Sequence, residues 1–382
     1  MIQPIKHLSV NWVDGMKISQ KHFTAQENYF LDSLRDTASY DINQFNYGLL
    51  PIKDSVTDHS TFDIYNSATN DVQLLIKHCH AITPAGYRIA INGFSININA
   101  LPSFNENNLG SIADGQFYIL ISVNPFDHVP SGEFDPEETP PRHISTQPKY
   151  HVELVPVSTV SDERTGGNYI VAGRIIFTAG VVNADVNFIP PCTSIHSHPI
   201  LLNYYNEFSK KIAGLQQFSI RIFQKNSFKN QNSVLADSIK MVSRVMLNQF
   251  AESYFYYRNN IHQLPPIFLI NVFAKLAHTI FNALEILPPN EKEEMLNYCY
   301  EWSDVAPHLL MNQLSEVIEI NYNHHKNGEY MKTVNNIMQS LYIIWEKLSG
   351  LDYIGQHKDN IVIKEEVISQ VVKNKKGWNI LD

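Results

Sequence analysis

The feature that most constrains this chain is a change of hydrophobic period near residue 198. Before it, short β-branched and aromatic runs at 72–76, 86–91, 94–98, 117–123, 150–157 and 169–177 are separated by Gly, Pro and Asn. After it, apolar residues recur every three or four positions to about residue 350. A chain that alternates and then turns helical must build two kinds of layer. The β runs predict an antiparallel sandwich or barrel. Asn92-Gly93 between two of them predicts a hairpin, because a type I′ turn needs positive φ at both central positions. Gly166-Gly167, just before the last run, reads as another turn. Residues 125–149, PFDHVPSGEFDPEETPPRHISTQPK, are Pro-rich and acidic and read as a long excursion loop.

The helical half is punctuated by proline. Leu202, Tyr205, Phe208, Ile212, Leu215, Phe218 and Ile222 form one stripe, and Leu235, Ile239, Val242, Met246, Phe250 and Tyr257 a second. Pro265-Pro266 and Pro288-Pro289 mark helix starts, where missing N–H groups cost nothing. Pro307 predicts a kink or split. A fifth helix carries Val334, Ile337, Leu341, Ile344 and Trp345, with Gly350 suited to its C-terminal cap. Short connections between such helices predict an up-down bundle. The expected architecture is α+β and multidomain. An N-terminal hook and antiparallel β-sandwich or barrel shell occupies 1–198. An α-helical hairpin bundle follows over 199–350, then a short tail over 351–382 with too little chain for its own core.

The hook lies in VNWVDGMKISQKHFTAQENY, residues 10–29. Leu8, Val10 and Trp12 alternate as one face of a short strand. Asp14-Gly15 makes a turn, and Ser19 suits a helix N-cap. His22, Phe23, Gln26, Tyr29 and Phe30 then recur at helical spacing. So many rings on a strand-turn-helix element must dock on the chain's own core or on a partner.

These residues resemble the opening signature of the TssK family, the baseplate subunit of bacterial type VI secretion systems, approximately V-x-W-x-E-G-M-F-L-x-P-Q-H-F-Q-x-Q-D-R-Y. Val10, Trp12, Gly15, Met16, His22, Phe23, Gln26 and Tyr29 match it directly. Asp14, Ile18 and Glu27 are conservative replacements, and Lys17, Gln20, Lys21 and Asn28 depart from it. Ile189-Pro190-Pro191-Cys192 resembles the segment closing the family's shell domain. The run from Leu264-Pro265-Pro266 through Leu276-Ala277 to Phe281 resembles one of its helices, with His278 where Gly is common.

The resemblance implies a non-catalytic homotrimer of the phage receptor-binding-protein shoulder type, held by wedge proteins of the TssF and TssG kind. It implies a cytoplasmic protein, at the cytoplasmic face of the inner membrane when assembled. Trp12, Met16, His22, Phe23, Gln26 and Tyr29 are the expected attachment residues. The resemblance implies a link from the wedge to the cell-envelope side; family members usually add a third, membrane-side domain, and the 351–382 tail stands in its place, which leaves the envelope contact open.

Composition narrows the alternatives. Net charge is −9, from 29 basic and 38 acidic residues with no basic patch, which gives nucleic acid no electrostatic hold. Cys79, Cys192 and Cys299 form neither a CxxC pair nor a disulfide framework. The N-terminus lacks a signal-peptide apolar region. The most membrane-like run, 267–287, contains Asn271, Lys275, His278, Asn282 and Glu285, which makes it a bundle helix rather than an inserted span.

His78 and His80 share one face of a predicted strand, a spacing that metal sites in β-barrels use, but the following residues offer no acid. His196-Ser197-His198 and His324-His325 read as loop histidines. His22 lacks the nucleophile and orienting acid of a catalytic set. Asp304, Glu316 and Glu319 read as solvated helix face. Tyr254, Phe255, Tyr256 and Tyr257 cannot all face one core, and hint at a subunit contact. No cofactor motif is present. The rival readings are a phage tail-tip adaptor or receptor-binding protein, and a β-barrel metalloenzyme using His78 and His80.

Overall fold

A computed structural model describes residues 4–51, 61–66, 72–98, 115–159, 167–178, 181–228 and 234–358. Helix α1 (Gln20–Ser39) is followed by β1 (Gly48–Leu49), β2 (Phe62–Asn66), β3 (Val72–Ile82), β4 (Arg88–Asn97), β5 (Gly115–Asp135), β6 (Arg142–Pro156), β7 (Tyr169–Thr178) and β8 (Val181–Ala184). Two antiparallel sheets result. In one, β3 pairs with β4 along one edge and with β2 and β1 along the other; the second has the order β6-β5-β7-β8. Leu74, Ile76, Cys79 and Ile89 of the first sheet and Ile119, Ile121, Leu154 and Ile175 of the second are buried in one core. Burial alternates along Val72–Ile76 and Cys79–Ala81 of β3, whereas β5 and β7 are also covered on their other face, where Tyr118, Leu120, Tyr169, Val171 and Phe188 form a second cluster.

Three β-half expectations fail for identifiable reasons. Asn92-Gly93 is not a hairpin. β4 runs straight through it, with His78 opposite Asn92 and Ile76 opposite Phe94. The β3–β4 turn lies instead at residues 83–87, where the Thr83 N–H donates to the Tyr87 carbonyl (2.9 Å) and Gly86 takes φ +90°. The register of a long strand pair overrides one local turn dipeptide.

The expected loop at 125–149 is a two-stranded ribbon continuing β5 and β6, with Val129 opposite Gln147 and Phe134 opposite His143. Pro130 and Pro148 are tolerated because the ribbon has free edges. A bulge between Asn124 and His128 sets Phe126 out of the ladder. Finally, residues 8–12 form no strand: the Val10 N–H donates to the Gln26 side chain of α1 rather than to a ladder. Gly167 takes φ +76° beside β7, while Gly166 lies outside the described residues.

The helical half follows its punctuation closely. α2 (Pro199–Phe228), α3 (Val234–Asn259), α4 (Pro266–Ile286), α5 (Pro289–Ser303), α6 (Pro307–Ile318) and α7 (Asn327–Gly350) are the bundle. Pro307 splits rather than kinks. It is the first residue of α6, and α5 ends on Asp304 in the left-handed region at φ 58°. Gly350 is an ordinary last helical residue, and the cap is Leu351.

The predicted stripes are buried except at the start of α2, where Leu201 is buried in place of Leu202 and Tyr205 is half-buried. Phe208 meets Phe273 edge-on at 4.8 Å, and buried Trp345 donates its indole N–H to Ser243 (3.1 Å). Gly214 lets α2 and α7 close together, since a Cβ there would lie 2.5 Å from the Tyr342 ring. α4 is long and apolar enough to cross a membrane, yet Leu269, Phe273, Leu276, Ile280 and Leu284 lie in the bundle core. Residues 351–358 fold back on α5, where the Trp302 indole N–H donates to the Gln356 carbonyl at 3.1 Å. The rest of the 351–382 tail lies outside the described residues.

The two halves meet at 188–198. The Leu49 N–H donates to the Pro191 carbonyl (2.8 Å), and the Thr193 N–H to the Leu49 carbonyl (2.9 Å). His324, expected in an open loop, is buried there, with Nε2 2.9 Å from the Tyr47 carbonyl and Nδ1 2.7 Å from the Tyr322 hydroxyl. Asn327 donates to the carbonyls of Pro190 and His324.

Candidate functional site

The hook is built from an extended limb and α1, held together almost wholly by polar contacts. The limb runs antiparallel to the helix. Lys6 and His7 donate their N–H groups to Asp32 Oδ2, and Val10 donates to Gln26 Oε1 (3.4 Å). A turn at Val13–Met16, with Gly15 at φ +78°, reverses the chain. His22 then closes the helix start, since the Ser19 N–H donates to its Nδ1 at 3.1 Å. His22 thus takes the place that Glu or Gln fills in a capping box, which makes Nδ1 the unprotonated nitrogen. The Trp12 ring lies 6.0 Å from that imidazole.

Asp32 and Arg35, which sequence reasoning passed over, are the centre of this frame. Both are buried, and Arg35 binds Asp32 Oδ1 through Nε (3.0 Å) and Nη2 (2.9 Å) while also reaching the Pro4 carbonyl (3.4 Å). Burial pushes the Asp32 carboxyl up, but the two backbone N–H groups and the guanidinium outweigh it and hold it below its ordinary value. The frame docks on the shell through the β5 bulge. The rings of His7 and Phe126 are 4.1 Å apart, and Phe126 meets Tyr87 edge-on at 6.2 Å. Gly86 lies under α1, where a Cβ would sit 3.5 Å from the Arg35 carbonyl.

With a polar interior frame, α1 is amphipathic in the reverse sense. Asp32, Arg35 and Ser39 are its buried residues. Phe23, Phe30 and Leu34, on the opposite face, are 63%, 57% and 69% exposed. Leu8, Val13 and Ile18 are also exposed, and Trp12 nearly half so. Of the expected attachment residues, His22 and Gln26 bond within the frame, Tyr29 and Met16 are half-buried, and Trp12 and Phe23 face solvent. Apolar surface of this extent on one element is more than scattered surface residues ordinarily leave wet.

The other candidate groups are drawn into ordinary contacts. His78 and His80 both address the Asn92 side-chain oxygen, at 3.4 and 2.9 Å. Among the described residues no group of three metal-ligating side chains forms. Cys79, Cys192 and Cys299 are free and buried, and burial pushes the thiols of Cys79 and Cys299 up to about 12. A groove of about 280 Å³ beside Phe62, Phe188 and His198 is crossed by Arg174, which is satisfied by Asp185 at 2.6 Å. His198, read as a loop histidine, is partly buried, and burial lowers its pKa to about 4. Tyr257 stacks on Tyr205 at 4.8 Å, whereas Tyr254, Phe255 and Tyr256 are exposed.

No protein-family model matches the sequence, and no curated protein matches it. Solved structures do. A crystal structure of TssK aligns over 87% of this chain and 69% of its own, with a TM-score of 0.50 and 15% identity. The baseplate complex from the type VI secretion system covers 82% of this chain and 100% of the aligned one, at TM-score 0.48 and 14% identity. A TssK-TssF-TssG baseplate subcomplex solved by cryo-electron microscopy covers 91% and 99%, at TM-score 0.46 and 13% identity. The chain has the fold of TssK.

Proposed function

From the TssK fold and the uncovered hook we propose that this chain is a structural baseplate subunit of a type VI secretion or related contractile injection system. It acts by binding, not by catalysis, in the cytoplasm at the cytoplasmic face of the inner membrane. Residues 1–198 serve as the shoulder-like shell and 199–350 as the bundle of a homotrimer. The hook attaches it to wedge proteins of the TssF and TssG kind, with Trp12 and Phe23 as contacts and Met16, His22, Gln26 and Tyr29 shaping the element.

One observation carries this reading: α1 buries charge and exposes rings. A helix so built loses apolar stabilisation in water, at roughly 25 cal/mol for each Å² left wet, and recovers it only when a partner covers the ring face. Symmetry repeats the contact, so modest single contacts add up to a firm attachment.

The test is co-purification of the full chain with the wedge proteins of the same gene cluster, beside light scattering of the chain alone. A wedge complex and an oligomeric mass are expected, and Trp12→Ala should abolish wedge capture with little loss of stability. A chain monomeric at micromolar concentration that captures no wedge protein would sink the proposal.

A further inference from the structure

The two sheets of the shell meet at one margin and stay apart at the other. On the closed margin β2 reaches β8, where the Asn66 side-chain amide donates to the Val182 carbonyl (3.2 Å). On the open margin the edges of β4 and β6 face each other across a cavity of about 220 Å³, lined by Ile91, Asn92, Gly93, Val129, Gln147 and Tyr150. Tyr150 bridges it at one point, its hydroxyl accepting the Ala90 N–H at 3.2 Å.

That bond measures the gap. A tyrosine side chain and one hydrogen bond together span about two strand spacings, ~9.5 Å, which is room for one extended chain. It also sets the parity of the edge. Alternate residues of an edge strand turn their N–H and C=O groups outward, so Asn92, two along from Ala90 and in the same register with β3, presents its backbone to the opening. Gly93 follows at φ +77°, with open space where a Cβ would lie. A glycine inside a strand suits the close approach of another backbone. Across the opening Pro148 lines the cavity and has no N–H to offer, so an entering strand pairs with β4.

We propose that this opening takes an extended segment of a wedge protein as an added strand on β4. The inference rests on the baseplate reading above and assigns part of that partner to a second surface. The chemistry of the segment follows from the wall it completes. Its side chains alternate, apolar toward the shell core and polar toward solvent, while backbone hydrogen bonds to Asn92 set its register. The wedge is the occupant because the opening is continuous with the hook. Tyr87, the residue before β4, meets Phe126 edge-on at 6.2 Å, and Phe126 meets His7 of the limb at 4.1 Å. A partner gripping the hook is therefore already beside the start of β4.

Hydrogen exchange of the full chain, alone and in complex with the wedge proteins of its gene cluster, tests this. The Asn92 amide should exchange about tenfold or more slowly in the complex. Asn92→Pro removes that outward donor and none of the ladder to β3, and should weaken wedge capture roughly tenfold with an unchanged circular dichroism spectrum. His78→Ala, which takes a partner from the Asn92 side chain but no backbone donor, should capture the wedge like wild type. Failure of the wild-type chain to capture any wedge protein would overturn the baseplate reading and the added strand together. A wedge complex in which the Asn92 amide exchanges as in the free chain overturns the added strand alone, whether or not Asn92→Pro folds. Slow exchange of that amide already in the free chain would show that the chain or a second copy of it fills the opening, and overturns the wedge as occupant. Equal loss of capture in His78→Ala and Asn92→Pro would trace the effect to side chains, and overturns backbone pairing.

Discussion

Asp32→Ala should release the limb from α1 while leaving the shell and bundle folded. The carboxylate has four partners: the amides of Lys6 and His7 on Oδ2, and Nε and Nη2 of Arg35 on Oδ1. Deleting it removes the carboxylate 2.9 Å from a guanidinium that is only 2% exposed, while Asp36 lies farther off, at 3.8 Å. Removing one partner of a buried pair costs about 3–5 kcal/mol. Losing two backbone hydrogen bonds adds about 1 kcal/mol each where the amides do not regain water. The limb lies at the surface, so its amides do regain water once it lifts, and Arg35 is solvated at the same time. Expected, then, is a loss of roughly 3 kcal/mol confined to the hook.

Hydrogen exchange should read this as lost protection at the Lys6 and His7 amides, with bundle amides unchanged. The double variant Asp32→Leu/Arg35→Met should be less destabilised than Asp32→Ala, because the buried guanidinium is removed together with the carboxylate it binds. The acid limit has a definite sign. The folded-state pKa is held below the ordinary 3.8, so the contribution is fully present above that value and is lost as pH falls through the folded pKa. The limb therefore stays docked at pH 5. Unchanged protection of Lys6 and His7 in Asp32→Ala would refute the reasoning, and so would a double variant less stable than the single one.

Other changes have equally definite outcomes. His22→Ala should cost about 1 kcal/mol of helix-start stability, and His22→Gln should restore most of it, because Gln can accept the Ser19 N–H in the same way; thermal unfolding or exchange at the first turn of α1 distinguishes them. Gly48→Ala should be strongly destabilising, on the order of several kcal/mol, since φ is +108° and the new Cβ would fall 2.1 Å from the Pro191 carbonyl oxygen, a backbone atom that cannot step aside; poor soluble yield or a large drop in Tm is the readout.

Burial lowers the His324 pKa from 6.5 to about 4, so the unfolded chain binds the extra proton first. Stability from this group is fully present above pH 6.5 and declines as pH falls toward 4, by on the order of 3 kcal/mol. His198, also lowered to about 4 by burial, adds to the same slope, so His324→Gln should remove part of it in pH-dependent denaturation.

Most of the fold was legible where structure is decided locally. Pro266, Pro289 and Pro307 start helices because proline fits only a first turn, and the apolar stripes behind them had one possible inside. It was illegible where a distant partner decides. Asn92-Gly93 turns in isolation but not when β3 offers an unbroken ladder, and 125–149 looks like loop until β5 and β6 are seen to pair across it.

The hook combines both cases. Its rings were visible, but a one-sided helix is equally consistent with the rings inside or outside. What decides is Asp32 and Arg35, three residues apart and of opposite charge, a pattern that ordinarily marks a solvated face. Here it is the buried face, because the limb brings two backbone donors to the carboxylate. The signature residues consequently divide by role: His22 and Gln26 hold the frame by hydrogen bonds, while Trp12 and Phe23 are held out to solvent by it. Substituting the first pair should therefore lower stability and binding together, and substituting the second should lower binding alone.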